Sequence, residues 1–425
     1  MKIKTCQKSY DAVMQLPRAK HFDPMYPSRL LRGVIGVASL PDLWATGFSY
    51  ETYGMEKLGK EPCLILMNHS CFLDLMIAFR IFFPKPLSVV CTSDGLVGMP
   101  WLMRWLGCIP TQKSVSDIQL IRDMEYALKT KKSNVLMYPE ASYSFDATAT
   151  ALPRKMGVLL KKLGVSVVTV TTHGAFARQP LYNNLKKRKV KVTADVRCLA
   201  TAQEVRELSV RQLDEMLDEA FRFDKFAWQK ENGIQITEAS RADGLERILY
   251  KCPHCGAEGK TEGKGTGLTC HGCGKHWQMD TLGQLQADVG DTEFSHIPDW
   301  YAWEREEVRR ELSEGSYRLE TDVDIGMMVD YKAIYMVGSG HLTHDADGFR
   351  LTGCGGKLRY DQGPLACYGL YSDYFWYSIG DVICIGNRDA LYYCFPKNGV
   401  SVAKARMAAE ELYKLKKRTR IPHNV

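Results

Sequence analysis

The sequence predicts an α/β domain, a mixed and largely parallel sheet flanked by helices, followed by a small metal-bound ribbon and a β-rich C-terminal domain. Three observations predict it. Between Cys63 and about Asp195, short apolar runs (CLILM, NVLMY, VSVVTVTT, KVKVTADV) alternate with longer amphipathic ones, and such alternation builds layered α/β architecture. Residues 252–273 read C-x2-C, fourteen residues, C-x2-C, the spacing of a tetrahedral four-thiolate site. From about Gly315 to Phe395 the chain is dense in short β-prone runs, AIYMVGSG, FRLTG, YFWYSI, DVICIG and ALYYCF.

A chain of 425 residues exceeds one ordinary core and divides into several units. The expected units are 1–62, a helical and membrane-interfacial segment; 63–240, the α/β domain; 245–285, the ribbon; and 290–420, a β-barrel-like domain with a terminal helix. Hydrophobic content of 45% and charged content of 25% exclude a disordered chain. A formal charge of +7 favours anionic surfaces. No window of about 18 uninterrupted apolar residues occurs, so no membrane-spanning helix is expected. The opening MKIKTCQKSYDAVMQLPRAK has no apolar stretch after its charges. A cytoplasmic protein with reduced thiols, peripheral on the inner face of the membrane, is the expectation.

The N-terminal run LLRGVIGVASLPDLWATGFSY is interrupted by Gly33, Gly36, Pro41 and Gly47. It reads as a helical hairpin in a membrane interface, with Trp44, Phe48 and Tyr50 at the boundary, or as a helix pair capping the next domain. Helical spacing follows in LDLMIAFRIFF, SDIQLIRDMEYALKT and RKMGVLLKKL. Leu208 to Lys230 reads as a single charged amphipathic helix. The late strands end in VAKARMAAEELYKLKKR, a helix with a basic end. Strands closed by one terminal helix resemble the pleckstrin-homology-like barrel.

One apolar stretch carries chemistry: LILMNHSCFLDLMIAF, residues 64–79. His69 falls at the junction between a buried strand and a helix, with Asp74 about a turn into the helix. On a continuous helix these side chains would diverge; a non-helical junction lets them meet. A carboxylate accepting from one imidazole nitrogen fixes the tautomer with the lone pair on the other, as a general base requires. The plainer reading is a satisfied core histidine beside a helix-capping carboxylate.

Asn68-His69 followed by Asp74 resembles the His-x4-Asp motif of the glycerolipid, or lysophosphatidic acid, acyltransferase superfamily. Gly107-Cys108-Ile109-Pro110-Thr111-Gln112-Lys113 stands at its second block, with Lys113 in place of arginine. Tyr138-Pro139-Glu140-Ala141-Ser142-Tyr143-Ser144 resembles its third, Phe-Pro-Glu-Gly-Thr-Arg-Ser, but Tyr143 replaces the arginine. VSVVTVTT takes the place of the fourth block without its proline. The resemblance covers roughly residues 63–200. It implies O-acyl transfer from an acyl thioester, acyl-CoA or acyl carrier protein, to a hydroxyl of a glycerolipid such as 1-acyl-glycerol-3-phosphate. His69 would be the base and Asp74 its orienter; Asn68, Lys113, Glu140 and Ser142 would hold the acceptor. No catalytic metal is implied. Lysine keeps a point charge where arginine offers a fork, and Tyr143 drops a charge. That favours a rival reading, a non-catalytic lipid-binding or scaffold protein on a degenerate acyltransferase fold, which the intact His69 and Asp74 oppose.

Cys71, two residues from His69, raises an acyl-enzyme alternative; its apolar company favours a small buried side chain. Cys252, Cys255, Cys270 and Cys273 predict a structural zinc with no open coordination position. His254, His271 and His276 are spare donors expected to face solvent. The expected partners are a lipid acceptor and the membrane surface, with acyl carrier protein a candidate. Nucleic acid is disfavoured, because the ribbon lacks aromatics interleaved with basic residues.

Overall fold

The computed structural model describes residues 2–112, 118–150, 152, 156–366, 368–397 and 399–420, with backbone alone for 418–420. The expected mixed sheet is present, with seven strands. In spatial order these are Ser49–Tyr53, Thr193–Ala200, Val167–His173, Leu64–Met67, Asn134–Met137, Leu87–Thr92 and Cys108–Thr111. The last five run parallel, and Thr193–Ala200 lies antiparallel to Val167–His173. Leu64–Met67 and Asn134–Met137 are buried throughout, as central strands covered on both faces must be. Alternation divides their side chains between the two faces. Ile65 and Met67 pack with Leu73, Ile77 and Leu43 of helices Leu73–Phe82 and Arg29–Ala45. Leu64 and Leu66 pack with Met124, Leu160 and Leu213 of helices Ile118–Glu125, Met156–Leu163 and Val210–Ala220.

Four expectations need correction. The N-terminal segment is one helix, Arg29–Ala45, running through Pro41, rather than a hairpin or helix pair. Ser28 caps it by accepting from the Leu31 N–H, and Gly47, at φ +56°, turns the chain into the exposed edge strand Ser49–Tyr53. Leu87–Thr92 and Cys108–Thr111 are strands that the alternation did not mark. KVKVTADV contributes only its end, in the strand Thr193–Ala200. The stretch 208–230 forms two helices, Val210–Ala220 and Lys225–Glu231. Ser209 and Asp224 each accept a backbone N–H at a helix start, and such caps are worth about 1 kcal/mol each.

The ribbon sheet pairs Thr261–Lys264, Gly267–Cys270, His276–Met279 and Leu285–Ala287 as antiparallel neighbours. After helix Ile297–Glu314 comes an antiparallel sheet in the order Leu358–Gln362, Gly348–Gly353, Ile334–Asp345, Leu319–Met328, Leu391–Pro396, Gly380–Gly386, Tyr371–Trp376. Its first strand in the chain therefore pairs with its last. Thr5–Gln7 adds to this sheet beside Ile334–Asp345, so the first residues of the chain serve the C-terminal unit. One apolar cluster runs from Phe145, Phe176 and Tyr182 through Cys252, Trp277 and Trp300 to Ile325, Ile385 and Met407 of the terminal helix Val402–Arg420. The ribbon thus shares one apolar cluster with the other two units.

Candidate active site

Three adjacent parallel strands bring the candidate residues together at their carboxyl ends. Leu64–Met67 leads into Asn68 and His69, its neighbour Asn134–Met137 into Tyr138–Ser144, and Val167–His173 carries Thr172 on the other side. Loops leaving this end of a parallel sheet are where such folds place ligands. His69 lies in the non-helical stretch before helix Leu73–Phe82, and its Nδ1 is 3.3 Å from Asp74 Oδ2. Asp74 is fully buried. Its Oδ2 also accepts the N–H groups of Ser70 at 2.5 Å and Cys71 at 2.9 Å, and its Oδ1 accepts from Thr172 Oγ1 at 3.3 Å. The carboxylate is fixed by the turn it closes, and the imidazole is oriented by the carboxylate.

The His69 ring, 22% exposed, is packed between Tyr138, ring centroids 3.9 Å apart, and Tyr143, at 4.3 Å. Burial pushes both phenols well above the ordinary tyrosine value, so they remain neutral hydroxyls. Glu140 holds the histidine's main chain: Oε2 accepts the His69 N–H at 2.9 Å and Oε1 the Thr150 N–H at 3.1 Å. The Ser144 N–H in turn donates to the His69 carbonyl at 3.2 Å. Ala141, where the resembled motif has glycine, sits at φ +58°, a left-handed conformation costly for any residue with a Cβ.

Asn68 is fully buried; its Oδ1 accepts the Thr172 N–H at 2.7 Å and its Nδ2 donates to Thr172 Oγ1 and Ser70 Oγ. It braces two strand ends and faces protein. Ser142 Oγ accepts from Arg406 of the terminal helix at 2.9 Å. Gly107 precedes the strand Cys108–Thr111 at φ +80°, where a Cβ would lie 2.5 Å from Pro27. Lys113 lies outside the described residues. Cys71 is completely buried, its Sγ 3.6 Å from the Ala175 carbonyl, and burial pushes its thiol well up.

Thr172 and Lys225 belong to the site although no sequence signal marked them. Lys225 Nζ, buried, donates to the Thr172 carbonyl at 2.7 Å. Burial lowers its pKa to about 8 and raises that of Glu140 to about 7, while each group's charge opposes the other's shift. The two share one desolvated region beneath His69.

The ribbon holds the second site. The Sγ atoms of Cys252, Cys255, Cys270 and Cys273 lie within 4.8 Å of one another, with Cys252–Cys273 at 3.9 Å and Cys255–Cys270 at 3.8 Å. Tetrahedral zinc with sulfur ligands at about 2.3 Å requires sulfurs about 3.8 Å apart; the donor set fits. Gly256 and Gly274, at φ +73° and +77°, close the two knuckles. His254, His271 and His276 instead meet Glu293, Glu262 and Asp288.

Residues 49–173 match the family model described as Acyltransferase, and His69, Asp74 and Glu140 all fall within the matched residues. Among curated proteins, the 1-acyl-sn-glycerol-3-phosphate acyltransferase of Saccharomyces cerevisiae is 28% identical over 116 residues, 26% of this chain. The chain spans 38% of that relative's length. Among solved structures, the 1-acyl-sn-glycerophosphate (LPA) acyltransferase PlsC of Thermotoga maritima aligns with 44% of this chain and 78% of its own at 16% identity, with a TM-score of 0.32.

Proposed function

We propose that the protein is an O-acyltransferase that moves a fatty acyl group from an acyl thioester, acyl-CoA or acyl carrier protein, to a hydroxyl of a glycerolipid, a lysophospholipid such as 1-acyl-glycerol-3-phosphate. The observation that carries this reading is the His69–Asp74 contact inside the acyltransferase-family segment. With Asp74 at Nδ1, the imidazole tautomer carries its lone pair on Nε2. His69 takes the acceptor's hydroxyl proton as the oxygen attacks the thioester carbonyl; the C–S bond breaks and the thiolate leaves. A positioned base of this kind is worth about 10²–10⁴ in rate. Glu140 and Ser144 fix the histidine's main chain while Tyr138 and Tyr143 restrict its ring. Asn68, by its burial, supports the loop, while Ser142 and Lys113 are the acceptor-side candidates.

Cys252, Cys255, Cys270 and Cys273 would hold a structural zinc that closes the ribbon; a four-thiolate shell leaves no position for substrate. The C-terminal strand order, closed by one helix, supports a pleckstrin-homology-like unit.

Among the described residues no helix is long and apolar enough to cross a membrane. An exposed apolar face is nevertheless present. Leu30, Val34, Val37 and Trp44 (73% exposed) lie on helix Arg29–Ala45, near Phe83 and near Trp101 (62% exposed) and Trp105. Contacts between Arg32 and Pro84 and between Ser28 and Trp105 join these segments. Exposed Arg29, Arg80 and Lys85 flank them. Aromatic rings beside cations suit the interface of an anionic leaflet, so we place the protein peripherally on the inner, cytoplasmic face of the membrane.

The test is product formation from an acyl thioester and a panel of lysolipids on vesicles, with His69→Ala as control. Transfer that disappears in His69→Ala supports the reading. Lipid binding without turnover across the panel would establish the scaffold alternative.

A further inference from the structure

A guanidinium from the far end of the chain reaches the loop that packs on His69. Arg406, in the terminal helix, is 4% exposed. Its Nη2 donates to Ser142 Oγ at 2.9 Å, its Nη1 to the Tyr143 carbonyl at 3.4 Å and its Nε to Glu410 Oε1 at 3.2 Å. Its guanidinium carbon lies 4.5 Å from the centroid of the Phe145 ring. Glu410 also accepts from Arg305 at 2.6 Å. A buried cation is costly unless its donors are satisfied, and the planar fork meets three separated acceptors from three different nitrogens, whereas a lysine concentrates its donors on one. The bonded residues are those next to the histidine: the Tyr143 ring lies 4.3 Å from the His69 ring, and Ser144 bonds the His69 carbonyl. In this same loop Tyr143 stands where the resembled motif has its arginine.

We infer that Arg406 is a positioning residue for His69. By holding Ser142 and the Tyr143 main chain, it sets the aromatic wall of the imidazole, so the C-terminal unit completes the reactive site of the first domain. A cavity of about 420 Å³, lined by Phe145, Thr150, Tyr301, Arg305, Arg406 and Glu410 among others, lies beside this contact. The inference rests on the acyl-transfer reading for its kinetics but not for its geometry.

The experiment is Arg406→Ala in the full-length, metal-loaded chain. The expected result is a kcat lower by about 10²-fold, as for a catalytic group displaced by about 1 Å, with KM changed by less than about threefold. Millimolar guanidinium, entering the vacated space, should recover part of the rate. Arg309→Ala removes a cation that pairs with Glu411 but not with the loop and should leave kcat unchanged. The imidazole NMR signal of His69, identified by its loss in His69→Ala, should shift in Arg406→Ala as the Tyr143 ring moves. An unshifted signal, or a kcat within about twofold of wild type, overturns the inference. If the wild type transfers no acyl group, the functional reading fails while the NMR arm still decides the positioning role. If Arg406→Ala does not fold, Arg406→Lys replaces it: it keeps the charge but loses the fork, and should shift the His69 signal and lower kcat in the same direction. An unshifted His69 signal in that variant would overturn the inference.

Discussion

Glu140 grips His69 by its main chain and leaves the ring to others: Oε2 accepts the His69 N–H at 2.9 Å while Oε1 accepts the Thr150 N–H at 3.1 Å. Both carboxylate oxygens are therefore used by protein, in a region dry enough to raise the group's pKa to about 7. Glutamine in its place offers one carbonyl and turns an NH2 toward the second N–H. Glu140→Gln should lower stability by about 1–3 kcal/mol, the cost of a buried unsatisfied donor. It should lower kcat by about 10²-fold through displacement of His69. Thermal unfolding and the acyl-transfer assay measure the two effects, and a variant with wild-type values for both would refute the structural role.

Cys71 tests the direct-attack chemistry. Its thiol is sealed from solvent, its pKa is raised well above the ordinary value, and its Sγ faces the Ala175 carbonyl. A serine hydroxyl can donate to the same carbonyl. Cys71→Ser should retain kcat within about threefold, and intact-mass spectra of wild type mixed with acyl thioester should show no covalent adduct. An acylated Cys71 would reverse the assignment.

The parts of the fold that sequence made legible are those with local causes. Continuous apolar runs marked Leu64–Met67 and Asn134–Met137 because both faces of each are buried. His69 and Asp74 stood out as polar groups in such a run. The break at Asp224 was also readable, since an aspartate before a helical run is an N-cap signal; the charge periodicity masked it. Thr172 was not readable: its role depends on the pairing of Val167–His173 with Leu64–Met67, which no local pattern encodes. Lys225 sat in a charged segment that reads as a solvated face, and only the fold places its ammonium on the Thr172 carbonyl. Arg406 lies 264 positions from Ser142; the tyrosine at 143 hinted at a missing cation but not at its source.

Metal content checks the ribbon. Cys252 and Cys270 belong to the cluster that also contains Trp277, Trp300 and Val308, so zinc bound there would hold part of the shared core. One zinc per chain is the expected count, with all four thiols protected from a thiol reagent until a strong chelator is added. Stripping the metal should lower the unfolding temperature of the whole chain, because structural zinc contributes folding energy directly. A metal count near zero in purified, active protein would contradict the assignment.

Stability should vary with pH through the helix that presents Lys225. Asp224 uses Oδ1 to cap that helix at the Ala227 N–H, 2.8 Å away, and Oδ2 to meet His296 Nε2 at 2.7 Å. His296 begins helix Ile297–Glu314, so one carboxylate ties the two helices. The bond to Asp224 raises the His296 pKa above its ordinary 6.5. Burial pushes Asp224 upward, but its bonds to His296 and Ala227 outweigh that and leave it below 3.8. A raised histidine contributes stability that is complete below its unfolded value and disappears as pH climbs through the folded value. A lowered aspartate contributes stability that is present above its unfolded value and disappears as pH falls through the folded value. The pair therefore acts at full strength between the two ordinary values. For this partly exposed pair the gain is about 1 kcal/mol. His296→Gln keeps a neutral donor, so its deficit in thermal stability should be largest near about pH 6 and shrink by about pH 9. A deficit that stays constant across that range would mean that the histidine contributes through packing on Phe226 and not through charge.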